Sequence, residues 1–313
     1  MNQLPSKPPS TNSIVESIKQ NSGMQLMLFM VLWLLCNMLA AAISSTIASI
    51  AGINDLNLLL EGFKDGQYLE HINTIKIISI ASHLCQYLLP VVLYLVVIHN
   101  DTKLKVLYVD KAPNLFKLVL AVVVIAAIYP FISYVYYWNT QLIPKDAIAQ
   151  DTLDIQNLMM QMQTTSDLLL NLLLFGLVAG LGEEFFYRGI LQKLFTKRTR
   201  NVHIGALLTA ITFSLMHFQP EGFLPRFILG GIFSYLLIIS ANLWISVVVH
   251  ILFNSTQVLV PYFYPKFSSS INTIESVPFY VACLSLFLFI GLFYTFKYVY
   301  KSNSTQYYLN QEQ

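Results

Sequence analysis

The sequence contains few charged residues for its length. Lys and Arg contribute 18 residues and Asp and Glu 16, so that 11% of the 313 residues are charged and 56% are hydrophobic. Soluble domains carry about 25% charged residues, and this composition therefore excludes an ordinary soluble fold. The net charge of +2 gives no argument for a polyanion site, and we expect no nucleic-acid partner.

Cysteine is also scarce, and the three cysteines all lie within apolar runs: Cys36, Cys85 and Cys283. An odd number of cysteines at unrelated spacings matches neither a disulfide framework nor a metal-binding motif. The sequence has no internal repeat and no phosphate-binding glycine loop. We therefore interpret the three thiols as buried apolar groups.

Long apolar runs are what the sequence has in abundance. A helix needs about 20 apolar residues to cross the hydrocarbon core of a bilayer. The runs lie at about 24–50, 74–98, 117–138, 165–192, 202–219, 223–240, 243–262 and 277–299. They predict an all-α fold, a polytopic membrane helix bundle with about eight transmembrane helices.

The polar ends of the chain and the connections set the expected topology. We expect a flexible polar tail at 1–20, a single transmembrane domain at 21–301 and a polar tail at 302–313. Basic residues favour the cytoplasmic side of a membrane, which predicts that both termini are cytoplasmic. With that orientation most of the 18 Lys and Arg residues fall inside, namely Lys7, Lys19, Lys103, Lys105, Lys111, Lys117, Arg188, Lys193, Lys197, Arg198, Arg200, Lys297 and Lys301.

Two adjacent carboxylates, Glu183 and Glu184, stand near the centre of one apolar run. An ionisable group in hydrocarbon costs at least a few kcal/mol and is by default a functional candidate. Glu184 and Arg188 are spaced i, i+4, which predicts an ion pair with a mainly architectural role. Glu183 is offset from Glu184 by about 100° around the helix and has Tyr187, not a basic residue, at i+4. Glu183 is therefore the candidate for chemistry.

His217, His250 and Asn254 are the candidates to meet Glu183. A turn centred near 199–201 places Glu183 and His217 at the same depth, each roughly 25 Å from the turn. His250 and Asn254 are spaced i, i+4 and share one helix face, although such residues also join helices by structural hydrogen bonds. Four polar side chains from three helices can thus converge within the membrane.

The other histidines and a set of glycines receive no chemical role. The histidines lie near span ends or at unsupported positions and are His71, His83, His99 and His203. The glycines have a small-xxx-small spacing that allows close helix packing, and they are Gly176, Gly180 and Gly182. We predict that they bring the helix of the two glutamates against a neighbouring helix.

Three short motifs follow one another along the chain: Glu183-Glu184-x-x-x-Arg188, Phe213-x-x-x-His217 and His250-x-x-x-Asn254. In order and approximate spacing they resemble the motifs of the CPBP family, the CAAX protease and bacteriocin-processing intramembrane peptidases. One such motif is a weak signal, but three in sequence are specific. The resemblance covers a motif core at about 165–260.

This resemblance implies a glutamate-dependent intramembrane endopeptidase, similar to the type II CAAX prenyl endopeptidases that remove a C-terminal tripeptide from prenylated proteins. Glu183 would act as general base on a water that His217 positions. His250 and Asn254 would donate hydrogen bonds to the developing oxyanion, and no cofactor is expected. Three further residues would hold the site in shape, namely Glu184, Arg188 and Tyr187.

Two alternatives stay open at this stage. Glu183, His217 and His250 could supply a His₂Glu set for Zn²⁺, which would make the protein a metalloprotease. The chain could instead be a non-enzymatic membrane protein of the bacteriocin-immunity type. The expected partners are membrane lipid and a peptide or protein substrate, either lipidated or membrane-embedded. The resemblance to bacterial members implies the bacterial inner membrane.

Overall fold

The computed structural model describes residues 11–53, 71–99, 104–144, 146, 148, 150–264 and 276–300. Every long regular element within these ranges is a helix. The helices are α1 (Thr11–Gln20), α2 (Ser22–Ile50), α3 (Ile72–His99), α4 (Leu115–Leu142), α5 (Gln150–Met159), α6 (Thr165–Thr199), α7 (Val202–Leu215), α8 (Phe223–Ser240), α9 (Leu243–Phe263) and α10 (Phe279–Val299).

The predicted polytopic helix bundle is confirmed, with one change in the number of spans. In the described part of the chain, 7 helical segments are long and apolar enough to cross a membrane, and they correspond to α2, α3, α4, α6, α8, α9 and α10. The run predicted at 202–219 forms α7, which has 14 residues. At 1.5 Å per residue α7 reaches about 21 Å, short of the hydrocarbon thickness of about 30 Å. The chain leaves the helix at Leu215 and turns before α8.

Polar side chains define where several helices begin. Asn114 and Asn242 each accept a hydrogen bond from a backbone N–H of the first turn, of α4 and of α9. Thr164 and Asp167 form a reciprocal capping box at the start of α6. Such caps satisfy backbone donors that a helix leaves without partners. They set the register of α6, the helix that carries the two glutamates.

The predicted turn at 199–201 is confirmed. α6 ends at Thr199, Arg200 adopts a left-handed conformation with φ of 53°, and the Asn201 side chain caps α7. Asn242, which caps α9, donates a hydrogen bond to the carbonyl of Lys111 at 2.8 Å, so the starts of α4 and α9 lie close together. At the start of α7, His203 Nδ1 lies 2.7 Å from the hydroxyl of Tyr235 near the end of α8. The orientation of the bundle in the membrane stays a prediction.

The ends of the chain differ in part from the prediction. Residues 11–20 form helix α1 where the sequence predicted a flexible tail. Asn21 accepts hydrogen bonds from the backbone N–H groups of Gly23 and Met24, so a cap separates α1 from α2. Residues 1–10 of the predicted N-terminal tail, and the C-terminal tail at 302–313, lie outside the described residues.

Helix α6 lies at the centre of the bundle and contacts α2, α3, α7, α8 and α9. Glycines permit this close approach, as predicted. A Cβ atom at Gly180 would lie 2.7 Å from Ile251 Cγ1 and 2.9 Å from the Ile251 backbone nitrogen, and one at Gly176 would lie 2.6 Å from Ser255 Oγ. These distances are too short for any side chain. The result is that α6 and α9 pack backbone against side chain just beside the glutamates.

Wider, π-helical turns interrupt α3 and α6. In α6 they span Leu172–Val178 and Phe185–Leu191, on either side of the two glutamates, and in α3 one spans Leu84–Leu88. Such turns are rare and occur frequently at functional sites. Their location next to the two glutamates indicates a functional site at this depth of the bundle.

Candidate active site

Glu183 and Glu184 are both buried in the centre of the bundle, with relative exposures of 7% and 0%. They end the short α-helical segment between the two π-helical turns of α6. A buried carboxylate is costly unless other groups pair with it. The two side chains meet this requirement in different ways.

Glu184 belongs to a fully buried ion pair. Arg188 donates a hydrogen bond to Glu184 Oε1 at 2.7 Å and another to the carbonyl oxygen of Gly230 at 3.0 Å. The guanidinium carbon of Arg188 lies 4.6 Å from the ring centroid of Phe213. The predicted i, i+4 pair is therefore present, and it links α6 to α7 and α8.

His250 on α9 contacts both glutamates. Glu184 Oε1 is a carboxylate oxygen that already accepts a hydrogen bond from Arg188. His250 Nδ1 is therefore the donor in the 2.8 Å hydrogen bond between His250 and Glu184. Its Nε2 then faces Glu183 Oε2 at 3.8 Å. The ring stacks on Phe233, with centroids 4.7 Å apart. Glu184 thus fixes the orientation of the imidazole that points at Glu183.

Glu183 has a second imidazole on its other side. His83 Nε2 on α3 lies 3.6 Å from Glu183 Oε1, so each carboxylate oxygen faces a histidine from a different helix. His83 received no chemical role from the sequence, and the structure places it beside Glu183. His83 lies well inside α3 and one turn before Tyr87, whose ring centroid is 4.4 Å away. A histidine so deep in an apolar span was the signal in the sequence.

His217 and Asn254 lie at the edges of this cluster. His217 follows the end of α7, and its Nδ1 donates to the carbonyl oxygen of Phe213 at 2.8 Å, leaving Nε2 available. The Phe213 ring lies between the imidazoles, with centroids 5.0 Å from His217 and 6.0 Å from His250. Asn254 donates to the carbonyl oxygen of Phe175 at 3.1 Å. The structure brings Glu183, His83 and His250 together. His217 and Asn254 lie next to this group and hydrogen-bond to backbone carbonyls instead of to Glu183.

Tyr187 is fully buried beside the cluster. Its ring centroid lies 6.0 Å from that of Tyr87 and 5.2 Å from that of Phe213. It therefore packs between α3 and α7. The supporting role expected for Tyr187 stays a prediction.

The residues named for the zinc alternative do not form a ligand group in the part of the chain that the structure describes. Zinc ligands lie about 2 Å from the metal and so surround one point. No ion pair joins His217 to Glu183 within these residues, and no group of three His, Cys, Asp or Glu side chains has metal-binding spacing there. The bond of His250 Nδ1 to Glu184 is compatible with either mechanism, because it leaves Nε2 to face a water or a metal. The metal-free mechanism stays a prediction.

Residues 165–256 match the protein family described as type II CAAX prenyl endopeptidase Rce1-like. Residues 165–256 form an Rce1-like domain. This domain comprises α6 to α8 and most of α9, and the match confirms the resemblance drawn from the three motifs. The Rce1-like domain supports a CAAX-type intramembrane protease, a hydrolase that acts on a peptide or protein.

The rest of the chain adds the other apolar helices, so the Rce1-like domain belongs to an integral, multi-pass membrane protein. No curated protein and no solved structure is significantly similar to the chain. The sequence analysis gave no role to His83, which lies outside the Rce1-like domain.

Proposed function

We propose that this protein is an intramembrane peptidase that hydrolyses a peptide bond with a water activated by Glu183, without a resident metal. One observation carries the proposal: Glu183 is buried at the centre of the bundle, and its two oxygens face imidazole nitrogens at 3.6 and 3.8 Å. A carboxylate placed so is suited to accept a proton from water.

The attacking water fits between Glu183 and His250. Two atoms 3.8 Å apart, Glu183 Oε2 and His250 Nε2, can both contact one water that lies to their side at about 2.8 Å from each. Because His250 Nδ1 donates to Glu184, Nε2 of the neutral ring accepts a hydrogen bond. The resemblance led us to expect that His250 donates to the oxyanion. We instead assign His250 to the binding of the attacking water.

The reaction begins with attack of the water on the peptide bond. Glu183 takes one proton from the water while the water oxygen bonds to the scissile carbonyl carbon, which gives a tetrahedral oxyanion. Glu183 returns that proton to the amide nitrogen, the C–N bond breaks, and a carboxylic acid and an amine leave. The second hydrogen stays on the water oxygen; His250 Nε2 accepts its hydrogen bond at first, and His217 Nε2, left available by the bond to Phe213, accepts it in place of His250 as the water moves to the carbonyl carbon.

Asn254 is the proposed donor to the oxyanion. Its side-chain amide has two N–H groups, of which one bonds to the carbonyl of Phe175. The other is free to meet the oxygen of the scissile carbonyl from the α9 side. A donor held in this way needs little reorganisation when charge develops, which is the source of its catalytic value.

The proposed substrate is a lipidated or membrane-embedded peptide. An apolar groove of about 450 Å³ lies between α6 and α9, lined by Leu172, Leu173, Leu177, Ile251, Ser255 and Leu259. Ile251 follows His250 directly on α9, so one end of the groove borders the helix segment that carries His250. An acyl, prenyl or apolar peptide segment in this groove would place the adjoining peptide bond near Glu183.

The proposal is tested by cleavage of peptides with the purified protein in lipid nanodiscs. The panel contains prenylated, acylated and unmodified apolar peptides, each assayed before and after removal of metals by a chelator. We expect cleavage that survives chelation. Cleavage that disappears on chelation and returns with Zn²⁺ would contradict the metal-free mechanism, and a protein that binds but does not cleave these peptides would support the immunity-type alternative.

A further inference from the structure

His83 is a polar side chain at the centre of the bundle that neither the motifs nor the family match includes. It comes from α3, outside the Rce1-like domain, and approaches Glu183 from the side opposite His250. Its Nε2 is buried and has no hydrogen-bond partner among the residues that the structure describes. A buried nitrogen without a partner calls for an explanation.

The local structure is built to bring His83 to this point. Gly182 immediately precedes Glu183, and a Cβ atom there would lie 3.4 Å from His83 Cδ2 and 3.2 Å from Tyr87 Cβ. A side chain at position 182 would therefore press on Tyr87, against which His83 packs, and would touch the His83 ring. The ring of His83 also rests against the ring of Tyr87, with centroids 4.4 Å apart.

The backbone of α3 gives a second, independent indication. The π-helical turn Leu84–Leu88 begins directly after His83, as the turn Phe185–Leu191 begins directly after Glu184. Turns of this type frequently occur at functional sites. Both helices therefore widen at the level where their polar side chains meet.

We propose that His83 is a positioning residue for Glu183: its Nε2–H holds Oε1, so that Oε2 is directed at the water beside His250. This inference rests on the proposed function. The present separation of 3.6 Å shortens to a hydrogen bond when the site closes on a substrate, as catalytic hydrogen bonds often do. His83 then acts through Glu183 and touches neither the water nor the scissile bond.

The other charged and titratable groups near Glu183 determine what the test must hold constant. They come from every helix around it and are Tyr87, Glu184, Tyr187, Arg188, His217, Arg226 and His250. Substitution of His83 leaves these side chains in place, but His83 also interacts electrostatically with His217 and His250. The pH dependence of such a variant is therefore read together with the measured coupling between His83 and Glu183.

Steady-state kinetics of His83→Ala and His83→Gln test the inference. For His83→Ala we expect kcat to fall about 10- to 100-fold with KM unchanged, below the usual 10²–10⁴-fold effect of the base itself. A donor to a carboxylate favours its charged form, so loss of His83 moves the acid limb of the pH–rate profile to higher pH. His83→Gln keeps an N–H donor and restores part of both effects.

The control is His99→Ala, at the far end of the same helix, which leaves kcat and the pH–rate profile at wild-type values. A purely structural role for His83 would lower the folded yield without moving the acid limb. Wild-type kcat and pH dependence in His83→Ala would overturn the inference, while loss of cleavage in Glu183→Gln in the same preparation would leave the proposed function standing.

A double-mutant cycle provides a measurement that does not depend on cleavage. Thermal unfolding of wild type, His83→Ala, Glu183→Gln and the double variant gives the coupling between the two side chains. We expect the shift in Tm of the double variant to differ from the sum of the two single shifts. Additive shifts would overturn the inference whatever the activity of the protein.

Discussion

Helices α6 and α10 both consist largely of apolar residues, yet they meet different surroundings. In the most apolar stretch of α6 50% of the residues are buried inside the protein, against 17% in α10. α6 buries Glu183, Glu184, Arg188, Gln192 and Lys193, whereas the buried polar residue of α10 is Ser285. Phe279 and Phe287 of α10 are 68% and 76% exposed.

The difference shows what each helix requires of its neighbours. Lipid tails are as apolar as Phe or Leu, so α10 gains little from covering its aromatic rings with protein. The polar groups of α6 need partners: carbonyl oxygens of α8 accept hydrogen bonds from Arg188 and Gln192, and His250 of α9 donates one to Glu184. Substitutions in α6 should therefore have large and specific effects, and equivalent substitutions in α10 small ones.

The largest effect on stability is expected for Arg188→Ala. This change leaves Glu184 buried without its ion-pair partner and removes the link to the carbonyl of Gly230. Loss of one partner of a buried pair costs about 3–5 kcal/mol, which should lower the folded yield and the free energy of unfolding in detergent. Lys297→Ala on α10, where the side chain is exposed, serves as control and should unfold like wild type. Equal effects of the two changes would contradict the comparison.

His217→Ala should separate activity from stability. Its ring is partly exposed, so the fold should be retained, while the loss of a group that orients the water lowers kcat by about 100-fold. Far-UV circular dichroism and thermal unfolding check the fold, and peptide cleavage checks the activity. The matched control is His203→Ala at the other end of α7. If His217→Ala failed to accumulate, our division between supporting and reacting residues would be wrong.

Two glycine substitutions compare the helices directly. At Gly180 a Cβ would lie 2.7 Å from Ile251 Cγ1, whereas at Gly291 on α10 nothing lies within 4 Å of one among the described residues. Gly180→Ala should therefore cost about 1–3 kcal/mol through overpacking. Gly291→Ala should be neutral or stabilising by up to about 1 kcal/mol, since Ala is the better helix former. Unfolding in mixed micelles measures both, and a neutral Gly180→Ala would show that α6 and α9 separate easily.

The smallest effect is expected for Phe287→Ala on α10. Its side chain faces the lipid, and its removal should change the free energy of unfolding by no more than about 0.5 kcal/mol. Phe29 on α2 is fully buried, and Phe29→Ala should cost about 3–5 kcal/mol. A destabilisation of Phe287→Ala as large as that of Phe29→Ala would reveal a protein partner on the outer face of α10.

Features that depend on spacing along one helix could be predicted from the sequence. The pair of Glu184 and Arg188 follows from an i, i+4 separation, and the turn at 199–201 from the break between two apolar runs. His250 was expected to meet Glu183, and its Nε2 lies 3.8 Å from Glu183 Oε2; its hydrogen bond to Glu184 was not predicted. Local geometry and the order of the motifs together were sufficient for these.

Features that depend on the packing of distant helices could not be predicted. His83 meets Glu183 from another helix, and no local spacing relates the two positions. The bond from Asn254 to the carbonyl of Phe175 depends on the approach that Gly176 allows between α6 and α9. The shortness of α7 was hidden because the apolar composition continues into the turn after Leu215.

The central claim is the proposal that Glu183 is the general base of the reaction. Its most direct test is kcat of Glu183→Gln on a peptide that the wild-type protein cleaves, in metal-free buffer, with Glu16→Gln on α1 as control. We predict a loss of about 10³-fold for Glu183→Gln, within the usual range for a general base, and wild-type kcat for Glu16→Gln. Cleavage by Glu183→Gln at the wild-type rate would contradict the account.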